Sequence, residues 1–154
     1  MTTSTARTLR QRHHEALRRL EHDVDVWVAT ADAEGVPCMV PLAFWWDGAE
    51  LWLATRETNP TGRNLGPSGP GRARLALGDT RDLVLIDGAA RVVRREELPE
   101  GVGDAFAAKA DGWDPREDGP SYVYYAVRPD WMQAWGTVAE MRDRDLMRDG
   151  VWLL

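Results

Sequence analysis

The sequence predicts a mainly β protein with flanking helices, folded as a small closed or split barrel of about six strands. Three observations carry this. Apolar residues alternate with period two in successive short runs between residues 24 and 95, and again from 122 to 135. Glycine-containing turns, Asp32-Ala33-Glu34-Gly35 and Asp47-Gly48, join neighbouring runs in meander order. Helical spacing is confined to the segments before and after the main strand run. At 154 residues the chain is expected to form one domain over 1–154, burying roughly two thirds of its unfolded surface.

Residues 1–22 hold the N-terminal helix, which the spacing places over 5–22. Ala6, Leu9, His13, Ala16, Leu17 and Leu20 fall on one stripe. His13 in that stripe reads as a packed or half-buried histidine, whereas His14 and His22 fall off it and read as solvated. Residues 23–95 supply the barrel strands: Val24–Thr30, Val36–Trp46 and Glu50–Ala54 come first. A short helix at 59–65 follows, then a Gly- and Pro-rich loop, then strands at 72–78 and 82–95, the latter broken near Asp87-Gly88. Ala73, Leu75 and Leu77 point inward. Leu83-Val84-Leu85-Ile86 is apolar on both faces, as suits a barrel strand that also meets a partner. Helical spacing returns over 96–110, with Val102, Ala105 and Phe106 as its buried side. Residues 121–154 form the C-terminal strand and tail, with a long strand from Tyr122 to Trp135 interrupted at Pro129 and a second turn at Asp149-Gly150.

Composition narrows the chemistry. The chain has three histidines, all within the first 22 residues, and three serines, none in a glycine-flanked elbow. Its single cysteine, Cys38, excludes an internal disulfide and a cysteine-cluster metal site, and reads most simply as a small buried hydrophobe. Phosphate loops and dinucleotide fingerprints are lacking, and no metal site is expected. A chain so poor in nucleophiles and imidazole bases either binds without transforming or borrows its chemistry from a cofactor. No apolar run approaches the roughly 18 residues needed to span a bilayer and the polar start is no signal peptide, so a cytoplasmic protein without membrane partners is expected. The net charge of -6 argues against a nucleic-acid partner.

Residues 55–65 concentrate the functional signal. A strand empties into Thr55-Arg56-Glu57-Thr58-Asn59-Pro60, where Asn is a preferred N-cap and Pro is tolerated at the first helical position. Backbone N–H groups, hydroxyls, Arg56 and Arg63 would converge there as at a phosphate site. A capped connector with solvated arginines is the competing reading. Between Arg56 and Arg81 five arginines stand against Glu57 and Asp79, a local excess that suits a small anionic ligand. Pro37 and Pro41, on one face of the second strand, cannot donate to a ladder. That strand therefore lies at an edge or bulge, or has something other than a strand beside it, such as a planar ring. Eight tryptophans exceed the needs of one small core. Adjacent Trp45 and Trp46 must face opposite sides, so at least one is expected to leave the interior, for a dimer contact or a base-stacking platform.

Several runs together resemble the pyridoxamine 5′-phosphate oxidase-like, FMN-binding split β-barrel family in its short actinobacterial form. They are Val-Trp-Val-Ala-Thr-x-Asp-x-x-Gly-x-Pro (26–37), Leu-Trp-Leu-Ala-Thr-Arg (51–56), Arg-Asn-Leu (63–65), Arg-x-Arg-Leu-Ala-Leu-Gly-Asp (72–79), Asp-Gly-Ala-Ala (87–90) and Val-x-Pro-x-x-x-x-Ala-Trp (127–135). The resemblance covers roughly residues 20–136. It implies a homodimer with two cofactor sites at the subunit interface and a small-molecule substrate. In such proteins the strand matching Met39, Val40, Pro41 and Leu42 backs the isoalloxazine ring. The segment matching Thr55, Arg56, Thr58 and Asn59, with Thr61, Gly62, Arg63 and Asn64, holds the phosphate, and Trp135 matches a contact from the other subunit. FMN-dependent hydride transfer is the implied activity; no catalytic side chain is assigned. One departure stands out: where many relatives carry Ser-x-Lys, this chain has Asn59-Pro60-Thr61. Losing that ammonium removes about 1–3 kcal/mol of phosphate binding in a poorly solvated site. Either Arg56 and Arg63 compensate, or the pocket takes the 8-hydroxy-5-deazaflavin coenzyme, a tetrapyrrole or no cofactor.

Overall fold

In a computed structural model that describes residues 5–154, six antiparallel strands close into a barrel. They are β1 (Asp25–Ala31), β2 (Pro37–Trp46), β3 (Leu51–Arg56), β4 (Arg72–Asp79), β5 (Asp82–Val93) and β6 (Tyr122–Trp135). Neighbours run β3-β2-β1-β4-β5-β6, and β6 returns to β3 from Leu51↔Val127 to Arg56↔Tyr122. Full closure leaves no continuous sheet edge. A small hairpin, β7 (Asp145–Arg148) and β8 (Val151–Trp152), extends the sheet beyond β6. It turns at Asp149-Gly150, both at positive φ (50° and 74°) as a tight hairpin turn requires.

The alternating pattern does what it predicts: Val26 and Val28, Ala73, Leu75 and Leu77, and Val84 and Ile86 all point into the barrel and are buried with Phe44, Leu51 and Leu53. β5 and β6 pair along nearly their whole length, with one slip. Asp87 faces Trp131 and Gly88 faces Pro129, so Asp130 is an extra residue on β6. The expected interruption of β6 at Pro129 is thus a one-residue bulge beside it, in a strand that continues.

Three helices attach. α1 (Leu9–His22) starts later than the 5–22 spacing predicts, because Thr8 and Gln11 form a reciprocal capping box. Ala6 therefore lies outside the helix, and residues 1–4 lie outside the described region. Ala16 and Leu20 are buried on the barrel, and half-buried His13 meets the Trp152 ring edge-on at 4.7 Å. Arg12 is buried too, its guanidinium donating to the carbonyls of Ala134 (2.9 Å) and Asp143 (2.8 Å). The helix expected over 96–110 is split and shorter: a 3₁₀ turn at Arg95–Glu97, then α3 (Val102–Lys109). Pro99 disfavours helix at Leu98, and Gly101 adopts φ 83°, so the chain breaks between them.

α3 creates a second core on the outside of the barrel. Its Val102 and Phe106 cover Trp52, Ala54, Tyr124 and Ala126, the outward residues of β3 and β6. Trp45 packs into this layer, 6.5 Å from the Trp52 ring, while Trp46 packs against the barrel core. The expectation that Trp45 or Trp46 must seek a surface beyond the monomer is corrected: opposite faces of this strand lead to two different cores. Trp27 is the tryptophan left 47% exposed.

α2 (Pro60–Leu65) sits against the end of the barrel with Thr61, Gly62, Asn64 and Leu65 buried. Asn64 Nδ2 donates to Thr30 Oγ1 at 3.0 Å, and the Tyr125 hydroxyl donates to the Gly62 carbonyl at 3.2 Å. Gly62 is needed for close approach: a Cβ there would run into the Arg56 carbonyl oxygen and lie 3.0 Å from the Tyr125 hydroxyl. At the other end of the barrel, Glu140 bolts the stretch before α1 to the segment after β6. Its buried carboxylate accepts from Arg7 Nε (3.0 Å), the Arg7 and Gly136 backbone N–H groups (2.8 and 2.7 Å) and a second Arg7 guanidinium nitrogen (2.8 Å).

Two outcomes are expected from this packing. Gly62→Ala should destabilise the chain by about 1–3 kcal/mol, read by denaturant unfolding, because backbone rather than a flexible tip stands in the way. The Arg7 hydrogen bonds hold the Glu140 carboxyl down to about 2 from 4.5. A depressed acid adds stability that is complete above its unfolded value and disappears as pH falls through its folded one, here on the order of 3 kcal/mol. The stability gap between the native chain and Glu140→Gln should therefore be widest above pH 5 and shrink towards pH 2.

Candidate functional site

The residues singled out between 55 and 64 form one corner of the barrel, where β3 ends and α2 begins. Thr55 and Arg56 are the last residues of β3, paired with Val123 and Tyr122, so the strand runs two residues further than its apolar pattern. Thr55 points inward and is buried. Arg56 points outward and lies over the Tyr122 ring at 5.3 Å. The chain then turns: Glu57 N–H donates to the Ser121 carbonyl (3.0 Å) and Asn59 N–H to the Arg56 carbonyl (3.0 Å). Asn59 has the backbone of an N-cap (φ -69°, ψ 153°), but its side chain does not cap. Its carboxamide donates to Thr55 Oγ1 at 3.2 Å, so the early N–H groups of the helix have no side-chain cap.

These eight residues divide by exposure. The side chains of Thr55, Thr61 and Asn64 face the protein, as does the Gly62 backbone; Thr61 Oγ1 lies 3.6 Å from Cys38 Sγ. They seat the helix. Arg56, Thr58, Asn59 and Arg63 are exposed, with Arg63 donating to the Thr58 carbonyl at 2.5 Å. The free cationic surface of the corner is therefore Arg56 and Arg63.

Met39, Val40, Pro41 and Leu42 lie beside this corner on a length of β2 that has no second strand. β3 pairs with β2 only at Phe44, Trp45 and Trp46, whereas β1 pairs with it from Pro37 to Ala43. Phe44 N–H donates to the Val24 carbonyl and Asp32 N–H to the Val36 carbonyl. Alternation between those bonds commits residues 38, 40 and 42 to β1 and turns the backbone groups of 37, 39 and 41 the other way. Both prolines thus sit where their missing N–H would have pointed off the edge. Val40 and Leu42 turn inward, while Pro41 and Met39 (64% exposed) lie on the outer face opposite Trp27 and Ala29.

Trp135 is not part of this corner within one chain. Tyr122 at the start of β6 stacks with Arg56, and Trp135 lies thirteen residues further along the same strand, roughly 40 Å of extended chain. There it pairs with Leu83 and carries the Arg144 guanidinium over its ring at 5.3 Å. Only a second copy could bring a Trp135 to the corner.

Reading the sequence also missed features. A cavity of about 620 Å³ lies away from α2 between α1, the β4–β5 turn and Gly136, lined by the Arg7–Glu140 cluster and Arg19, Arg81 and Asp82. Its charges are largely paired internally: Arg7 with Glu140, Glu15 and Asp82, and Arg19 with Asp82. It reads as an ionic cleft between paired side chains. Thr30 and Tyr125, which fix α2, carried no signal beyond inward parity on their strands. Among the described residues no group of three or more His, Cys, Asp or Glu side chains is placed to hold a metal ion, and no helix is long and apolar enough to cross a membrane.

Comparison places this geometry among known proteins. An F420 reductase structure is 21% identical, with TM-score 0.60 over 75% of this chain and 93% of its own. HutZ, the heme storage protein from Vibrio cholerae, is 15% identical, with TM-score 0.63 over 89% and 96%. PhzG from Burkholderia lata 383, in complex with tetrahydrophenazine-1-carboxylic acid, is 20% identical, with TM-score 0.59 over 93% and 85%. These likenesses establish the fold. No curated protein sequence matches the chain. The family profile described as pyridoxamine 5′-phosphate oxidase matches residues 13–148, the whole barrel with most of α1 and all of β7, and the chain belongs to that family.

Proposed function

We propose that the protein is a homodimeric oxidoreductase that holds FMN, or alternatively the 8-hydroxy-5-deazaflavin coenzyme, against the open edge of β2. The observation that carries this reading is the edge itself. Residues 37–43 keep one side free of strand pairing, directly beside a corner that presents Arg56 and Arg63. A flat ring with hydrogen-bonding groups on its rim fits a row of backbone carbonyls and N–H. A phosphate fits two exposed guanidinium groups, which replace the ammonium that Thr61 does not supply.

The homodimer in this proposal is supported by the outer face of the barrel. Trp27, Met39 and Pro41 on β1 and β2 continue through Ala76 to Leu85 and Leu83 and on to Trp131, and no helix lies over them. Trp27 and Met39 are exposed on this face with part-buried apolar residues beside them, and such patches mark interfaces. A second copy on this face would bring its Trp135 towards the first copy's edge and shut water out. Bound there, the cofactor supplies hydride chemistry to a small organic substrate. The chain's own part is to orient the ring through β2, to anchor the phosphate through Arg56 and Arg63, and to exclude water with the outward tryptophans. A non-catalytic carrier of a flavin or tetrapyrrole is the second reading. It is favoured by Thr61 standing where many relatives carry a lysine, and by Glu57, the carboxylate of this corner, being paired with Arg94 at 3.0 Å.

The test is direct. Titration with each coenzyme, followed by tryptophan quenching and by the absorbance spectrum, should show saturable binding with one site per chain in a dimer. Arg63→Ala should weaken retention roughly tenfold or more with the melting temperature unchanged, since its side chain is exposed. Unchanged affinity would move the phosphate elsewhere, and turnover of no acceptor would leave the carrier reading.

A further inference from the structure

We propose that Arg12 is a positioning residue for the contact between subunits: from α1 it fixes Trp135 and the segment behind it, so that each chain presents a preformed cap to its partner's cofactor. The inference rests on the dimeric cofactor reading above. Arg12 is 3% exposed, and its guanidinium donates to the carbonyls of Ala134 (2.9 Å) and Asp143 (2.8 Å). Among the described residues no carboxylate pairs with it, and its buried Nε has no hydrogen-bond partner. Burying a guanidinium on carbonyls alone costs stability, and Ala16 and Leu20 already seat the helix on the barrel. What the guanidinium adds is a tie between two points of the chain that bracket Trp135.

The bracketed stretch is braced throughout. The Ala134 N–H donates to the Arg144 carbonyl (2.9 Å), which closes its base. The Gly136 N–H donates to the Glu140 carboxylate (2.7 Å) and the Glu140 N–H to the Thr137 carbonyl (3.1 Å), while Arg7 holds Glu140 from outside the stretch. Arg144 lies over the Trp135 ring at 5.3 Å, so the indole is held from one face. Yet the stretch covers little of its own chain: Val138 is 86% exposed, Met141 is exposed and Trp135 is only half-buried. A segment braced in this way and turned to solvent with apolar side chains is preformed for a contact outside the chain, and that contact is spared the entropy of ordering it. The planar fork of an arginine reaches both carbonyls at once; a lysine ammonium on its flexible stem does not hold the two ends in register.

Binding of oxidised FMN and of the oxidised 8-hydroxy-5-deazaflavin coenzyme is to be measured by titration calorimetry, with melting temperature and sedimentation alongside. The samples are the full native chain, Arg12→Met, Arg12→Lys, Trp135→Ala and the Arg12→Met/Trp135→Ala double variant. Methionine removes the charge together with its burial cost, so Arg12→Met is expected to fold as a dimer. It should nevertheless bind the native chain's coenzyme roughly tenfold more weakly, as should Trp135→Ala and the forkless Arg12→Lys. The double variant should fall within about twofold of Trp135→Ala alone, because Arg12 acts through that ring. Unchanged affinity in a folded Arg12→Met or Arg12→Lys, or losses that add to roughly a hundredfold in the double variant, would overturn the positioning role while leaving the cofactor reading standing. So would failure of both Arg12 variants to fold, which makes Arg12 a residue of folding alone. A native chain that binds neither coenzyme, or that sediments as a monomer with coenzyme bound, would overturn the dimeric cofactor reading and the inference with it.

Discussion

β3 leaves β2 after three residue pairs and spends its whole length against β6, and the candidate site depends on that divergence. Closing a six-stranded barrel requires the first and last strands of the order to meet. Here the meeting draws β3 away from residues 37–43 of β2 and opens a wedge at one end of the barrel. α2 fills the wedge from below, with Asn64 on Thr30 and the Tyr125 hydroxyl on the Gly62 carbonyl. The candidate corner is thus a seam between strands, left without a second strand along residues 37–43 of β2.

Much of this was legible in the residues, for physical reasons that differ from element to element. The barrel strands announced themselves because each has one face in a single apolar core, which enforces period two. Asp47-Gly48 and Asp149-Gly150 were readable because tight turns demand residues that tolerate positive φ. The prolines at 37 and 41 pointed to a free edge, since a paired strand could not have kept them. What was hidden depended on tertiary layering. Nothing local says that α3 will cover the outside of β3 and β6, so adjacent Trp45 and Trp46 read as one core residue and one interface residue although each has its own core. The capping of Asn59 failed for a similar reason: Thr55 Oγ1, one turn back on the strand, competes for its amide. Thr61 and Asn64 looked like ligand groups from their type, yet their neighbours across the barrel engage them.

Membership of the pyridoxamine 5′-phosphate oxidase family constrains the scaffold more than the chemistry. The solved structures that share this barrel include an F420 reductase, a heme storage protein and PhzG in complex with tetrahydrophenazine-1-carboxylic acid, and the barrel core residues of this chain, Val26, Val28, Leu75 and Ile86 among them, are indifferent to that choice. The groups that face the candidate seam are backbone atoms of β2 and the Arg56 and Arg63 guanidinium groups.

The prolines of β2 have a further consequence for how the protein lives at high concentration. A raw strand margin is ordinarily an invitation for a neighbour's strand to zip on, the route to swapped or fibrous assemblies. With the Pro37 and Pro41 amide hydrogens missing and Met39 exposed between them, this margin is a poor template for such a ladder. One border of the barrel thus stays unpaired while offering an incoming strand too few amide hydrogens to zip along.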